Sequence, residues 1–275
     1  MRIRISHDTI YRYDAPATSA IQILRLTPRN HESQYIVRWR LELNVDCRLD
    51  PLEDAFGNLA HSFTVDGPLS ELVIRVEGEV ETQDAAGIVK GTMERFPPSL
   101  FLRETQLTAA DEGISAFARE TAEHAKGDPL ATLHALTARI YGEFAFDPDP
   151  THPAMTAAES FALKRGVCQD YAQIFTAAAR RLGIPARYVS GYFLRVDGVT
   201  QQEAGHAWAE AYLPKLGWVA FDPANGISAT SAHVRVAIGL DSLAAAPVRG
   251  IRFGGEGERL AVAVHVDQAG RQTQN

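Results

Sequence analysis

The chain has 275 residues, of which 45% are hydrophobic and 22% charged, a composition that supports packed cores and excludes wholesale disorder. Its length allows one large domain or two smaller ones. A net charge of −7 excludes general polyanion binding, so no nucleic-acid partner is expected, because affinity for phosphate backbones rests on Lys and Arg.

Residues 1 to about 85 read as β structure. Arg2-Ile3-Arg4-Ile5, the run Tyr35 to Leu43 and the run Leu72 to Val80 alternate apolar and polar residues, the mark of half-buried antiparallel strands. Pro16, Pro28, Pro51 and Pro68 punctuate them, and Gly57-Asn58 offers a turn. An N-terminal β-sandwich-type domain is expected. Ala85-Ala86-Gly87 and Pro97-Pro98 then mark a linker or crossover. Helices are predicted over 111–125 and 129–144, the second with an apolar stripe of Leu130, Leu133, Leu136, Ile140 and Phe144. A short helix, 156–164, runs into Gly166, and another opens at Cys168 and stops at Gly183 and Pro185.

Strands follow over 186–194, 206–213 and 218–221, the last two joined as a hairpin through Pro214-Lys215-Leu216-Gly217. This helix-then-sheet order predicts an α+β domain. The alternating run Arg259 to Val266 reads as a final strand, and the polar residues after Gln268 are expected to fray. The resulting division is residues 1–95 and residues 96–275. No repeats are present.

Three residues carry chemistry. Cys168 sits at a predicted helix start, where partial positive charge and unpaired N–H groups favour a thiolate and could hold an oxyanion. Asp170, in the same turn, competes for that field, so activation is expected mainly from His206. His206 opens a strand whose even positions share one face and whose alanines, Ala207, Ala209 and Ala211, share the other. If the alanines pack on the Cys168 helix, His206 faces away unless strand twist at Gly205 brings it round; alternatively the even face packs on the helix. Asp222 is expected roughly opposite Ala209, near His206, where a carboxylate can accept from the imidazole and fix its tautomer. Gln169, by default a solvated residue at a helix start, Trp208, by default core, and Glu210, by default an ordinary strand residue, are also candidates for oxyanion or supporting roles. The other histidines show no metal-ligand spacing, and no glycine-rich phosphate loop has the required context, so neither a metal nor a cofactor is expected.

Cys47 and Cys168 are too few for a cysteine-rich zinc site, and a disulfide between them is possible but not favoured. The N-terminus lacks the apolar core of a signal peptide, and no run of about 18 apolar residues exists. A soluble bacterial-type protein in a reduced, cytoplasmic setting, with no membrane partner, is expected.

The run Gly166-Val167-Cys168-Gln169-Asp170-Tyr171-Ala172 resembles the nucleophile segment of bacterial transglutaminase-like proteins. Leu182 to Tyr192 resembles their helix-to-strand passage; Gly205-His206-Ala207-Trp208-Ala209-Glu210 and Trp218-Val219-Ala220-Phe221-Asp222-Pro223 resemble their His and Asp segments. His7 to Tyr13, Leu24 to Arg29 and Asp54 to Asn58 are similar to the β domain that precedes this core in bacterial members. The resemblance implies a papain-like α+β core with a Cys–His–Asp triad at Cys168, His206 and Asp222. It also implies acyl transfer from a protein or peptide amide to water or an amine. Such proteins often carry Arg-Asp-Tyr after a downstream glycine; here Gly239 is followed by Leu240-Asp241-Ser242. Two further readings fit the same residues: a thioester-dependent N-acyltransferase, and a non-catalytic binding module that keeps the fold.

Overall fold

Alternation carries the first eighty residues into strands, and in the computed structural model, described over residues 1–270, those strands are long. β1 (Arg2–Thr27), β2 (Gln34–Leu43), β3 (Asp50–Glu53) and β4 (Leu59–Thr82) come first. The stretch read as a linker holds β5 (Ile88–Val89) and two 3-10 turns, Pro98–Leu102 and Gln106–Thr108. Then come α1 (Glu112–His124), α2 (Pro129–Glu143), β6 (Ala145–Phe146), α3 (Ala157–Leu163), β7 (Arg165–Gly166) and α4 (Cys168–Arg181). The remainder is all strand: β8 (Ala186–Phe193), β9 (Gln201–Gln202), β10 (His206–Leu213), β11 (Gly217–Asp222), β12 (Ile227–Ser228), β13 (His233–Gly239), β14 (Val248–Phe253) and β15 (Glu258–Gln268).

The helix starts follow from their caps. Asp111 accepts from the Ile114 N–H and Asp128 from the Ala131 N–H, with Pro129 in the first turn, where its missing N–H costs nothing. Thr156 and Glu159 form a reciprocal capping box on α3.

The first sheet runs β2-β4-β1-β15-β9, with β14 also beside β1 and β3 beside β4. β1 and β4 bend together. Their register shifts between Arg12 and Ser19, and Gly67 lies there so close to the Ala17 carbonyl that a Cβ would fall 2.1 Å from it. The bend folds one continuous sheet over itself, so Leu24, Leu26 and Phe63 from one half pack on Leu72, Ile74 and Val76 from the other. This is the expected sandwich-type core, built from two halves of the same strands.

The second sheet runs β12-β11-β10-β8-β13, with β5 beside β11. On one face it packs α4 and α2: Phe175 and Ala178 meet Ala209, Ala211 and Phe221, and α2 contributes Leu133, Leu136 and Ile140. The other face carries Val189, Trp208, Trp218 and Ala220 against Phe101. α4 is buried along nearly its whole length, and Arg180 in its last turn donates to the carbonyls of Phe101, Ala186 and Leu240.

The last two strands do not join the second sheet. β14 and β15 fall within residues 96–275 yet pair with β1, with Ile5 opposite Val266 and Ile21 opposite Ile251. Alternation sets a strand's buried face but leaves its partner open, and the apolar side of β15 (Val264, Val266) completes a core with Ile3, Ile5 and Val80. β13 and β14 were not anticipated as strands. The fraying expected after Gln268 concerns residues that lie mostly outside those described. No helix among the described residues is long and apolar enough to cross a membrane.

Candidate active site

Cys168 is the first residue of α4, whose first-turn N–H groups have no intrahelical acceptor. The turn before it is tight. β6 and β7 form a two-residue parallel pair, Ala145 with Arg165 and Phe146 with Gly166. Asp170 folds back so that Oδ2 accepts from the Val167 N–H at 2.8 Å and from the Thr151 hydroxyl at 2.7 Å. A Cβ on Gly166 would stand 2.6 Å from that oxygen and 2.9 Å from Ser160 Oγ. Glycine is therefore required there by close approach. Burial pushes the Asp170 carboxyl up, against the Val167 N–H and Thr151 hydroxyl that favour its charged form.

Ala207, Ala209 and Ala211 pack toward α4, and Trp208 lies on the opposite face with His206. The alternative in which the even face packs on the helix is excluded. His206 is the first residue of β10, opposite Gly191 of β8, and the Cys168 thiol is a hydrogen-bond neighbour of its ring. Its Nε2 donates to Asp222 Oδ2 at 2.7 Å, which leaves Nδ1 for the sulfur. The hairpin register pairs Ala209 with Phe221, one residue short of the expected pairing. That single step matters, because it turns Asp222 to the face of His206 instead of the helix face.

The electrostatics are those of a charged pair on a buried carboxylate. Burial works to lower the His206 pKa, but Asp222 and then Cys168 outweigh it and push it up to about 10. Burial works to raise Asp222, but the His206 and His233 rings hold it well below the usual carboxylate range.

His233 was missed. Its Nε2 lies 3.0 Å from Asp222 Oδ2, and its Nδ1 accepts from the Thr230 N–H at 3.0 Å. It opens β13, whose alternation Val234, Val236, Ile238 was available as a signal, but the pairing of β13 with β8 that brings it to Asp222 is not local in sequence. His206, Asp222 and His233 offer atoms within 4.8 Å of one another, and their mutual hydrogen bonds account for the arrangement. Tyr188, on the helix-facing side of β8, was also missed; burial first, with Cys168, Asp170 and Asp241 nearby, keeps its hydroxyl protonated.

The supporting candidates divide. Trp208 walls both rings, 6.0 Å from His206 and 5.2 Å from His233 between centroids, and Phe193 covers them from β8 at 5.1 and 4.6 Å. Gln169 is half-buried in the first turn, and its amide nitrogen has no protein partner among the described residues. Glu210 is engaged elsewhere. It is fully buried between Arg187 at 2.6 Å and Arg235 at 2.7 Å, and these cations hold its pKa down to about 2 against burial. Its place behind Trp208 gives it no contact with the sulfur. The Gly239-Leu240-Asp241-Ser242 stretch braces α4: Ser242 Oγ donates to Gln173 Oε1 at 2.9 Å, and the Leu240 carbonyl accepts from Arg180. Cys47 and Cys168 are both free thiols.

A helix-borne cysteine beside a strand histidine and aspartate, behind a folded β domain, defines a transglutaminase-like protein. Residues 115–223 match the transglutaminase-like superfamily and residues 3–81 the bacterial transglutaminase-like N-terminal region, and the chain belongs to that superfamily. An uncharacterized protein of Mycobacterium leprae is 29% identical over 279 residues, covering 96% of this chain and 98% of that protein. A protein-glutamine gamma-glutamyltransferase of Pseudomonas aeruginosa is 31% identical over 148 residues, 48% of this chain and 22% of that one. Among solved structures, a Cytophaga hutchinsonii protein provisionally described as a cysteine protease aligns with a TM-score of 0.77 at 18% identity, covering 100% of this chain and 92% of that chain. At that identity the likeness speaks for the fold.

Proposed function

We propose that this protein is a thiol-dependent amide hydrolase or acyltransferase that works through an acyl-thioester on Cys168. The observation that carries the reading is the relay of His206 between the Cys168 thiol and the Asp222 carboxylate, with 2.7 Å from Nε2 to Oδ2. The sulfur attacks the amide carbonyl, and the oxyanion is held by the Cys168 backbone N–H, with the Tyr188 hydroxyl a candidate second donor. His206 gives its Nδ1 proton to the leaving amine as the C–N bond breaks. Water or an amine then attacks the thioester, His206 takes its proton, and the thiolate is restored. Asp222 keeps the Nε2 proton of His206 in place throughout.

A protein or peptide amide is the substrate class proposed, with water or an amine as the acceptor. We read the chain as two units meeting near residue 95, with β14 and β15 completing the first sheet. A reducing compartment such as the cytoplasm suits a nucleophilic free thiol. The test is labelling by iodoacetamide near neutral pH. Cys168 should react much faster than Cys47, whose thiol burial and Asp46 push up in pKa. Cys168→Ala should abolish both this labelling and ammonia or peptide release from a glutamine-containing peptide library. Equal reactivity of the two cysteines would sink the proposal.

A further inference from the structure

Asp222 is satisfied beyond what a triad requires. Oδ2 accepts from His206 Nε2 at 2.7 Å, from Asn225 Nδ2 at 2.7 Å and from His233 Nε2 at 3.0 Å. Oδ1 accepts from the backbone N–H groups of Ala224 at 3.1 Å and Asn225 at 3.2 Å. Four of these donors come from the hairpin end itself or from His206. The fifth, His233, arrives from a different strand, across β8, and ties the carboxylate to the far side of the sheet.

The hydrogen bonding of His233 allows one tautomer. A backbone N–H can only donate, so the Thr230 N–H makes Nδ1 an acceptor, and the proton of a neutral ring must sit on Nε2, pointing at Asp222. The ring is 7% exposed and wedged between Phe193 and Trp208. Facing it are Asp222 and His206 in front and, across a cavity of about 40 Å³ behind, His31, Glu210 and Arg235. Glu210 and Arg235 pair with each other, so no single charge on that side draws a second proton onto His233. Burial also pushes its pKa down, so it stays a neutral donor through the physiological range.

We propose that His233 is a positioning residue for the chemistry of Cys168: its fixed Nε2–H aims the Asp222 carboxylate, and through it His206, at the sulfur. The inference rests on the acyl-transfer reading above. His233 touches neither the sulfur nor the scissile carbonyl's place beside it, and acts only through Asp222. Without it Oδ2 keeps only His206 and Asn225 as donors, the carboxylate is no longer tied to β13, and His206 is less firmly aimed at the sulfur.

The test compares two amides that differ by one methylene, in a Cys47→Ser background. Glutamine at 233 can place an N–H where Nε2–H lies; asparagine cannot reach Asp222. Labelling of Cys168 by iodoacetamide is followed from about pH 5 to about pH 10, spanning the imidazole range. His233→Gln should keep the rate within a few-fold and the pH profile in place. His233→Asn should lose about 10- to 100-fold near neutral pH, the worth of one hydrogen bond to a charged group, with its profile moved to higher pH and its melting temperature close to that of His233→Gln. Equal behaviour of the two variants, or faster labelling in His233→Asn, overturns the proposal. If wild-type Cys168 is itself no more reactive than Cys47, it is the acyl-transfer reading that fails. Should the asparagine variant not fold, imidazole nitrogen shifts in the wild-type protein decide: neutral His233 protonated on Nε2 supports the assignment, and the other tautomer or a charged ring at neutral pH overturns it.

Discussion

Gly166, two residues before Cys168, has little room to change. Adding one methyl there drives it into Asp170 Oδ2 and Ser160 Oγ, both side chains fixed by hydrogen bonds of their own. Gly166→Ala should destabilise by about 1–3 kcal/mol, as overpacking does, and should slow Cys168 labelling because the first turn of α4 must shift. Urea denaturation and the labelling rate check it; wild-type values for both would mean the turn yields freely. His206 makes a second prediction, with a definite sign. Its folded pKa of about 10 lies above the ordinary 6.5, so it binds its proton more tightly when folded. That stabilisation is complete below about pH 6.5 and disappears as pH rises through about 10. The difference in unfolding free energy between wild type and His206→Asn should therefore shrink steadily over that interval. A difference that stays flat would mean His206 is not held as an imidazolium. Asp222 runs the opposite way: held low, it contributes above its ordinary range and loses that contribution only in strong acid.

At the scale of elements, the hairpin and the edge of the second sheet decide the site. The residue types of the proposed triad, and the helix start and strand that carry Cys168 and His206, are legible because caps, glycines and alternation are local signals. The face of Asp222 is not, because it depends on whether three or four residues close the β10–β11 turn; Leu213 pairs with Gly217, so three do. His233 was hidden for a stronger version of the same reason, since its approach to Asp222 needs the β13–β8 pairing. β13 is itself an edge strand, and side chains of the first domain close it. Asn58 donates from Nδ2 to the Ile238 carbonyl at 2.8 Å and accepts the Ile238 N–H at 2.8 Å, standing in for a neighbouring strand. Gln34 does the same for Arg235, with 2.8 Å to its N–H and 2.9 Å to its carbonyl. Asn58→Ala leaves two buried backbone groups unpaired and should cost about 2–4 kcal/mol. Because Ile238 lies at the opposite end of β13 from His233, Cys168 labelling in the folded variant should stay near wild type. A loss under 0.5 kcal/mol, within the ordinary range for surface changes, would show the edge is not held by Asn58.

Over the whole molecule, the two units are joined through the strand that the sequence placed last. The alternation of residues 259–266 was readable, and its home in the first sheet was not, since a period of two is satisfied by any sheet that buries the same face. β15 lies between β1 and β9, with Val264 opposite Gln202, and β9 ends just before His206. Ile3, Ile5 and Val80 of the first sheet pack with Val264 and Val266 against Ala172 of α4, Tyr188, Tyr192 and Ala207. His7 adds a hydrogen bond to the Tyr192 hydroxyl at 3.0 Å. The segment that delivers His206 is thus clamped by the end of the chain. A protein ending at residue 247 keeps Cys168, His206, Asp222 and His233 in its sequence but strips β1 of two neighbours and bares the apolar face shared with α4. It should lose cooperative unfolding, bind a hydrophobic dye, and label Cys168 at the rate of an ordinary thiol. Circular dichroism melting and iodoacetamide kinetics on that shortened chain measure all of this together. If it melts cooperatively near the full-length temperature and keeps a fast Cys168, the second sheet and its helices hold the site alone, and the first domain has some task other than bracing it.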